Sequence, residues 1–371
     1  MKIVFVVTTI DRGGAESLLY DICRKIHDNN EVSILFIKGS ATLLPLFNDI
    51  KIPVSGVIYK NAWYSIKNVL KLFRMFYTNS DILIQGWMYH GNLLATFLWF
   101  FNRRNKLYWS IHHSAFDLKN KGLISRLKLK INALFSRFPQ KVAYVTELIA
   151  NEHLNYGFSE KNKIVIHNGI DTEKFLFSQD NRHIIREYFK IPENAFVIGA
   201  IGRNHPVKDY STFFRCASIL LRQNELLYFI VIGRDLSLDR FSDELENVSL
   251  DKLKRIIIID ETNEVNKYYS AFDLFTMTSI SEALSLVLLE ALGSERLCLV
   301  TEGIFHDSSF RDLVYTFAPK EVDNYVSEVK RIMSLGKEER KKLGEIARQK
   351  INDEYSLTKM LNEFMKIWLN N

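Results

Sequence analysis

Short apolar runs rich in Val and Ile alternate along the chain with longer stretches whose apolar residues recur every three to four positions. The short runs predict buried strands at Lys2–Val7, Glu31–Ile37, Ile82–Gln85, Leu107–Ile111, Lys141–Val145 and Ile164–Ile166. A second series follows at Phe196–Ile201, Leu227–Ile232, Arg255–Ile259, Leu274–Thr278 and Leu297–Val300. Between them, Ala15–His27, Ser65–Tyr77, Ser211–Arg222 and Ser285–Leu292 carry the helical period. This alternation predicts an α/β protein with parallel sheets covered by helices on both faces. The series restarts after Asp171–Asn181, a polar stretch without strong periodicity, where the interdomain linker is expected. The last segment, Thr358–Leu369, has the pattern of an amphipathic helix that follows the second domain.

A length of 371 residues fits two domains. Hydrophobic residues at 47% and charged residues at 25% are ordinary for a globular chain, which argues against disorder. Cys23, Cys216 and Cys298 have no metal or redox spacing and read as plain thiols in a reducing cytosol. The apolar run Ile3–Val7 is too short for a signal core, and Leu93–Phe101 is too short to span a bilayer. A cytoplasmic protein is therefore expected. Charge is uneven: residues 1–178 hold 23 Lys and Arg against 13 Asp and Glu, whereas the remainder holds 26 against 30. The basic half points to an anionic partner there.

Open parallel sheets bind ligands beyond the carboxyl ends of their strands, so the residues just after each strand are the place to look. Gly13-Gly14 follows the first strand and opens a helix. Paired glycines at a helix N-terminus suit an anion, and they equally suit a plain tight turn. The spacing is not GxGxxG, which argues against a dinucleotide site. Gly202-Arg203-Asn204-His205-Pro206-Val207-Lys208 follows the first strand of the second series. Its forked guanidinium and point-charge ammonium suit a diphosphate; the plain alternative is a solvated loop. Glu282 precedes a helix that starts near Ser285, and Glu290 lies on that helix. This step lets two carboxylates accept from separate hydroxyl pairs while the helix start faces phosphate. Alone, Glu290 also fits an exposed helix position, although its flanks are apolar.

Taken in order, Gly13-Gly14, Gly202-Arg203 with Lys208, and Glu282 with Glu290 seven intervening residues later resemble the retaining glycosyltransferases of family 4. Gln85–Leu93, Trp109–Ser114 and the Val165–Phe175 segment containing His167-Asn168-Gly169 are similar to further motifs of that family. The resemblance implies the GT-B fold, two Rossmann-like doubly wound domains with the active site in the cleft between them. It implies an N-terminal acceptor domain at 1–176, joined by the C-terminal helix 356–371, and a donor-binding domain at 177–355. Arg203 and Lys208 would hold the donor diphosphate, and Glu290 the ribose hydroxyls. Glu282 would touch the transferred sugar, with Ser285 and Leu286 at the helix start completing the donor site. Gly13 and Gly14 would let the first domain close over the phosphates, and His113 aligns with an active-site histidine near the sugar. His112 stands beside it without an assigned role.

The reaction so implied moves a sugar from a nucleotide diphosphate, UDP-hexose or UDP-N-acetylhexosamine first and a GDP-sugar second. The acceptor would be a saccharide, lipid-linked in surface polysaccharide assembly such as capsule or O-antigen. No cofactor is called for, and no Asp-x-Asp is present, so no metal site is expected. Two alternatives share the architecture: a sugar-nucleotide epimerase, and a catalytically silent nucleotide-binding scaffold. The chain departs from the family pattern at Ala283, at Glu295-Arg296-Leu297 and at Thr301-Glu302-Gly303-Ile304. All three departures are expected to reshape the sugar and phosphate pocket.

Between Lys119 and Lys141 seven Lys and Arg are interleaved with Leu, Ile and Phe, and no acidic residue occurs. Two readings stand. The segment binds an anionic membrane surface, at the inner face of the cytoplasmic membrane, or it is an ordinary helix with a solvated basic face. No recognised RNA- or DNA-binding motif accompanies it, so nucleic acid is not expected as a partner.

Overall fold

The computed structural model describes residues 1–57, 74, 76–78, 81–115, 122–304, 310 and 312–369. Most of the helix expected at Ser65–Tyr77 lies outside these residues, as do Lys119 and Lys121.

Residues 1–169 and 357–371 form one compact unit, and residues 170–356 form a second. The change of unit falls between Gly169 and Ile170, ahead of the expected boundary at 176. The stretch read as linker is ordered by local chemistry. Asp171 Oδ1 accepts from the backbone N–H groups of Glu173 and Lys174, at 3.2 and 3.3 Å. Ser178 then caps the helix Gln179–Tyr188 by accepting from Asn181 N–H at 3.2 Å. Its polar residues are turn and cap chemistry.

The first unit is a seven-stranded parallel sheet. Its strands are β1 (Lys2–Val7), β2 (Glu31–Phe36), β3 (Val54–Gly56), β4 (Ile82–Trp87), β5 (Lys106–Ile111), β6 (Lys141–Tyr144) and β7 (Lys163–Val165). They are ordered β3-β2-β1-β4-β5-β6-β7. Strand β4 is buried at every position, as a strand covered on both faces must be. It also runs two residues beyond the expected end, and Gly86 explains why. A side chain there would put a Cβ 2.8 Å from the Cα of Asn92, on the helix Met88–Phe101 packed above. On that helix, a Cβ at Gly91 would lie 2.2 Å from the carbonyl oxygen of Val6. The final helix, Leu357–Leu369, buries Leu357, Met360, Phe364, Ile367 and Trp368, a single apolar stripe. Trp368 Nε1 donates to the buried Gln85 Oε1 at 3.2 Å, and Tyr108 OH donates to the Ile367 carbonyl at 2.8 Å. These bonds fix the helix to the first sheet.

The second unit is a six-stranded parallel sheet of β8 (Phe196–Ile201), β9 (Leu227–Ile232), β10 (Ile256–Ile259), β11 (Leu274–Met277), β12 (Leu297–Thr301) and β13 (Tyr315–Phe317). Their order is β10-β9-β8-β11-β12-β13. Phe213, Phe214 and Leu221 on the helix Tyr210–Gln223 pack with Ile198, Phe229 and Val231 of the sheet in one buried cluster. The cysteines are free and buried, Cys23 in the first unit and Cys216 and Cys298 in the second.

Candidate functional site

In the second unit β8 and β11 are neighbours, while the chain leaves β8 toward β9 on one side and β11 toward β12 on the other. Connections that diverge in this way open a crevice at the strands' carboxyl ends. Two loops line it, 202–209 after β8 and 278–285 after β11. Thr278 Oγ1 donates to the carbonyls of Lys208 and Asp209 at 2.8 and 3.0 Å, and Ile280 N–H donates to the Val207 carbonyl at 2.8 Å. Loops about seventy residues apart in sequence are thereby locked together. Gly202 has φ +154°, a backbone region open mainly to glycine, and its carbonyl accepts from Tyr210 OH at 2.7 Å.

On this frame Lys208 Nζ meets Glu282 Oε1 at 2.6 Å, with side chains only 22% and 16% exposed. An ammonium carries three donors, so Lys208 can keep Glu282 and still reach an incoming anion. Arg203 is exposed at the start of the same loop, and no described residue pairs with its side chain. Ser285 forms the N-cap of the helix Leu286–Gly293 and makes no side-chain cap bond. The N–H groups of that first turn are thus open to an acceptor. Glu290 is half-buried on this helix, its Oε2 2.7 Å from the hydroxyl of Tyr269. Tyr269 is fully buried. Burial, then the neighbouring carboxylate, hold its phenol well above its ordinary pKa. It therefore stays a proton donor and fixes one carboxylate oxygen of Glu290.

In the first unit the corresponding switch point lies between β1 and β4. Gly13 is the N-cap of the helix Gly14–Ile26, in extended backbone that any residue adopts, and it makes no side-chain cap bond. A Cβ on Gly13 would meet only the end of the Glu16 side chain, its Oε2 at 2.5 Å. The turn expected to receive phosphate therefore has a carboxylate against it. His113 is exposed just beyond β5. His112 is buried, packed against Trp87 with ring centroids 4.2 Å apart and the planes tilted by 32°, its Nδ1 3.0 Å from Asn168 Oδ1. Burial pushes its pKa down to about 3, so it is neutral. Asn168 of the 165–175 signature thus braces the end of β5.

The structure corrects the expectation for Glu295-Arg296-Leu297. Glu295 and Arg296 precede β12 and Leu297 opens it, at the amino end of the sheet, opposite the crevice. The helix Leu286–Gly293 runs antiparallel to its strands, so its carboxyl end returns to the far edge. Arg296 there is half-buried, donating to the Phe272 carbonyl at 2.7 Å. That departure from the family pattern does not line the crevice. Thr301 ends β12, so Thr301–Ile304 is at the carboxyl end. Sequence reasoning missed Tyr269: its partner comes 21 residues later, and only tertiary burial joins them.

The family description "Glycosyltransferase Family 4" matches residues 12–174, and "Glycosyl transferases group 1" matches residues 181–350. The chain belongs to the GT-B glycosyltransferases. Among curated relatives, it is 22% identical to the capsular polysaccharide biosynthesis glycosyltransferase CapM of Staphylococcus aureus over 62% of this chain and 61% of that one. It is 26% identical to the UDP-Gal:alpha-D-GlcNAc-diphosphoundecaprenol alpha-1,3-galactosyltransferase of Escherichia coli, over 37% of this chain and 36% of that one. The chain thus spans less than two thirds of the length of either relative. The GT-B structure of Anabaena HepE with UDP-glucose superposes with a TM-score of 0.83, covering all of both chains at 18% identity.

Proposed function

We propose that the protein transfers a hexose or N-acetylhexosamine, with retention of configuration, from a UDP-sugar to a lipid-linked saccharide acceptor in surface polysaccharide assembly. The observation that carries this reading is the Lys208–Glu282 pair, fixed at a switch-point crevice beside an uncapped helix start. Relatives support the substrates: one is named for UDP-galactose and a diphosphoundecaprenol acceptor, and one was solved with UDP-glucose.

In this reading Arg203 and Lys208 neutralise the diphosphate, and Ser285 and Leu286 offer it the open helix start. Glu290, steadied by Tyr269, accepts from the ribose hydroxyls. Glu282 accepts from the sugar, and the family resemblance gives His113 of the first unit a role at that sugar. Gly13 and Gly14 let that unit's backbone approach the phosphates. The bond between the anomeric carbon and the diphosphate oxygen breaks with its electron pair leaving on UDP. The acceptor oxygen forms the new bond on the same face, and its proton passes to the leaving phosphate. Cations fixed where charge develops lower the barrier, and no protein nucleophile is needed.

The test is incubation with UDP-glucose, UDP-galactose, UDP-N-acetylglucosamine and GDP-mannose, with undecaprenyl-diphosphate sugars as acceptors. The expected products are UDP and a new glycoside with the donor's anomeric configuration by NMR. Free epimerised nucleotide sugar would replace this reading by an epimerase. Nucleotide binding without turnover of any donor would leave a silent binding protein.

A further inference from the structure

The helix Leu123–Phe135 is turned inside out relative to a surface helix. Such helices bury their apolar stripe and expose their polar one. Here the side facing the unit's interior carries Leu129, Ala133 and the polar Asn132, all buried. The outward side carries Leu123 and Ile124, 83% and 85% exposed, and Leu127 and Leu134, each more than half exposed. Ile131 continues the stripe at helical spacing, and Phe138 is exposed just past the helix end. It is the longest run of exposed large apolar side chains among the described residues. Phe97, on the helix Met88–Phe101 packed beside it, is 58% exposed as well.

The rim of this stripe is cationic. Arg126, Lys130 and Arg137 are exposed along one flank, and Lys128 is half-exposed on the other. Arg103 and Arg104 are exposed at the end of the neighbouring helix. From Ile82 to Thr146 the sequence has ten Lys and Arg and a single acidic residue, Asp117. Among the described residues, no helix is long and apolar enough to cross a membrane.

We infer that this face docks on the surface of an anionic lipid bilayer, with Leu123, Ile124, Leu127 and Leu134 entering the acyl boundary and the cations lying among headgroups. Apolar insertion and attraction to anionic headgroups are the two components of interfacial binding, and both are laid out on one helix. A nucleic acid would account for the cations and leave the outward leucines unexplained. A second copy of the chain would bring the same positive rim against itself, which like charges oppose. The basic segment is thus more than a solvated face: the charge lies beside the contact, and the apolar stripe makes it. This docking does not depend on which sugar is transferred.

The full chain is sedimented with vesicles of phosphatidylcholine and with vesicles of equal phosphatidylcholine and phosphatidylglycerol. Wild type is expected to pellet with the mixed vesicles, less so as salt rises, and to stay in solution with phosphatidylcholine alone. Leu127→Ser with Leu134→Ser keeps every charge and removes two exposed side chains, so the fold persists, as circular dichroism would confirm. It should lower partitioning by about tenfold or more. Arg126→Gln with Lys130→Gln and Arg137→Gln should lower it and flatten the salt dependence. Wild type left in the supernatant of the mixed vesicles overturns the inference, as does a serine variant that pellets like wild type. A wild-type dimer that the serine variant dissolves, seen by light scattering, would assign the face to a copy of the chain instead. Sugar transfer to a water-soluble acceptor, measured in parallel, should be unchanged in the serine variant. Loss of docking and loss of the proposed reaction are therefore read separately.

Discussion

At the switch point of the second unit, between β8 and β11, an ammonium and a carboxylate meet at 2.6 Å on two loops tied by backbone bonds. At the switch point of the first, between β1 and β4, a glycine turn has a carboxylate against it, and Gly86 and Gly91 bring a helix onto the sheet. The strand orders match, β3-β2-β1-β4 in one and β10-β9-β8-β11 in the other. Topology therefore places a crevice in both and decides nothing about its charge. The second unit uses its strand ends to hold charged side chains. The first uses them for close packing and a buried neutral histidine.

Acid should separate the two units first and most strongly. His112 and His153 are buried in the first unit, and burial pushes their pKa values down to about 3 and about 4. The unfolded chain protonates both near 6.5, so their contribution is whole above that pH and is lost as pH falls toward 4. Each costs up to about 1.4 kcal/mol per pH unit in that window, so from pH 6.5 to 5 the first unit should lose about 3 kcal/mol. All five tryptophans lie in the first unit, so urea unfolding followed by tryptophan fluorescence reads it alone. His112→Gln should remove about half of the loss. An acid-independent fluorescence midpoint would show that the histidines titrate as freely folded as unfolded.

Lys208→Ala should produce the next largest change. It leaves the shielded Glu282 carboxylate without its partner and removes a diphosphate contact. Affinity for UDP-glucose by calorimetry should fall about 100-fold, or about 2.7 kcal/mol. An unchanged affinity would move the donor away from the second unit's crevice.

Tyr269→Phe sharpens the same site at smaller cost. It removes one hydrogen bond to a carboxylate, worth about 1.5 kcal/mol, so UDP-glucose affinity should drop about tenfold. A 2′-deoxy donor should bind wild type and variant alike if Glu290 holds the ribose. A deoxy donor as sensitive to the variant as the normal donor would return Tyr269 to a packing role.

These residues also mark how far the sequence could be read. Strands β1, β8 and β9 were plain because six-residue β-branched and aromatic runs have few other stable arrangements in a core. Strands β3 and β13 escaped notice because Val54-Ser55-Gly56 and Tyr315-Thr316-Phe317 are too short for a period to show. Lys208 and Glu282 were each legible from their place after a strand, but their contact is set by the tertiary lock through Thr278. Glu295 was misplaced because sequence order near a helix does not reveal which sheet edge its end returns to. The Leu123–Phe135 helix was legible as basic and amphipathic, whereas the direction its apolar side faces is fixed by packing around Leu129 and Ala133.

The smallest expected effect tests whether the first unit's turn faces the donor at all. Glu16 places a negative charge in the first turn of the helix that Gly13 caps, where a bound diphosphate would feel repulsion. Glu16→Gln removes that charge and keeps the side chain's size. If the phosphates lie at this turn, UDP-glucose should bind about two- to fivefold tighter, the 0.3–1 kcal/mol typical of roughly one charge at a helix end. The gain should shrink at high salt, because the interaction is screened. An affinity that does not move, beside a large loss in Lys208→Ala, would confine the donor's phosphates to the second unit and leave the Gly13-Gly14 turn a structural one.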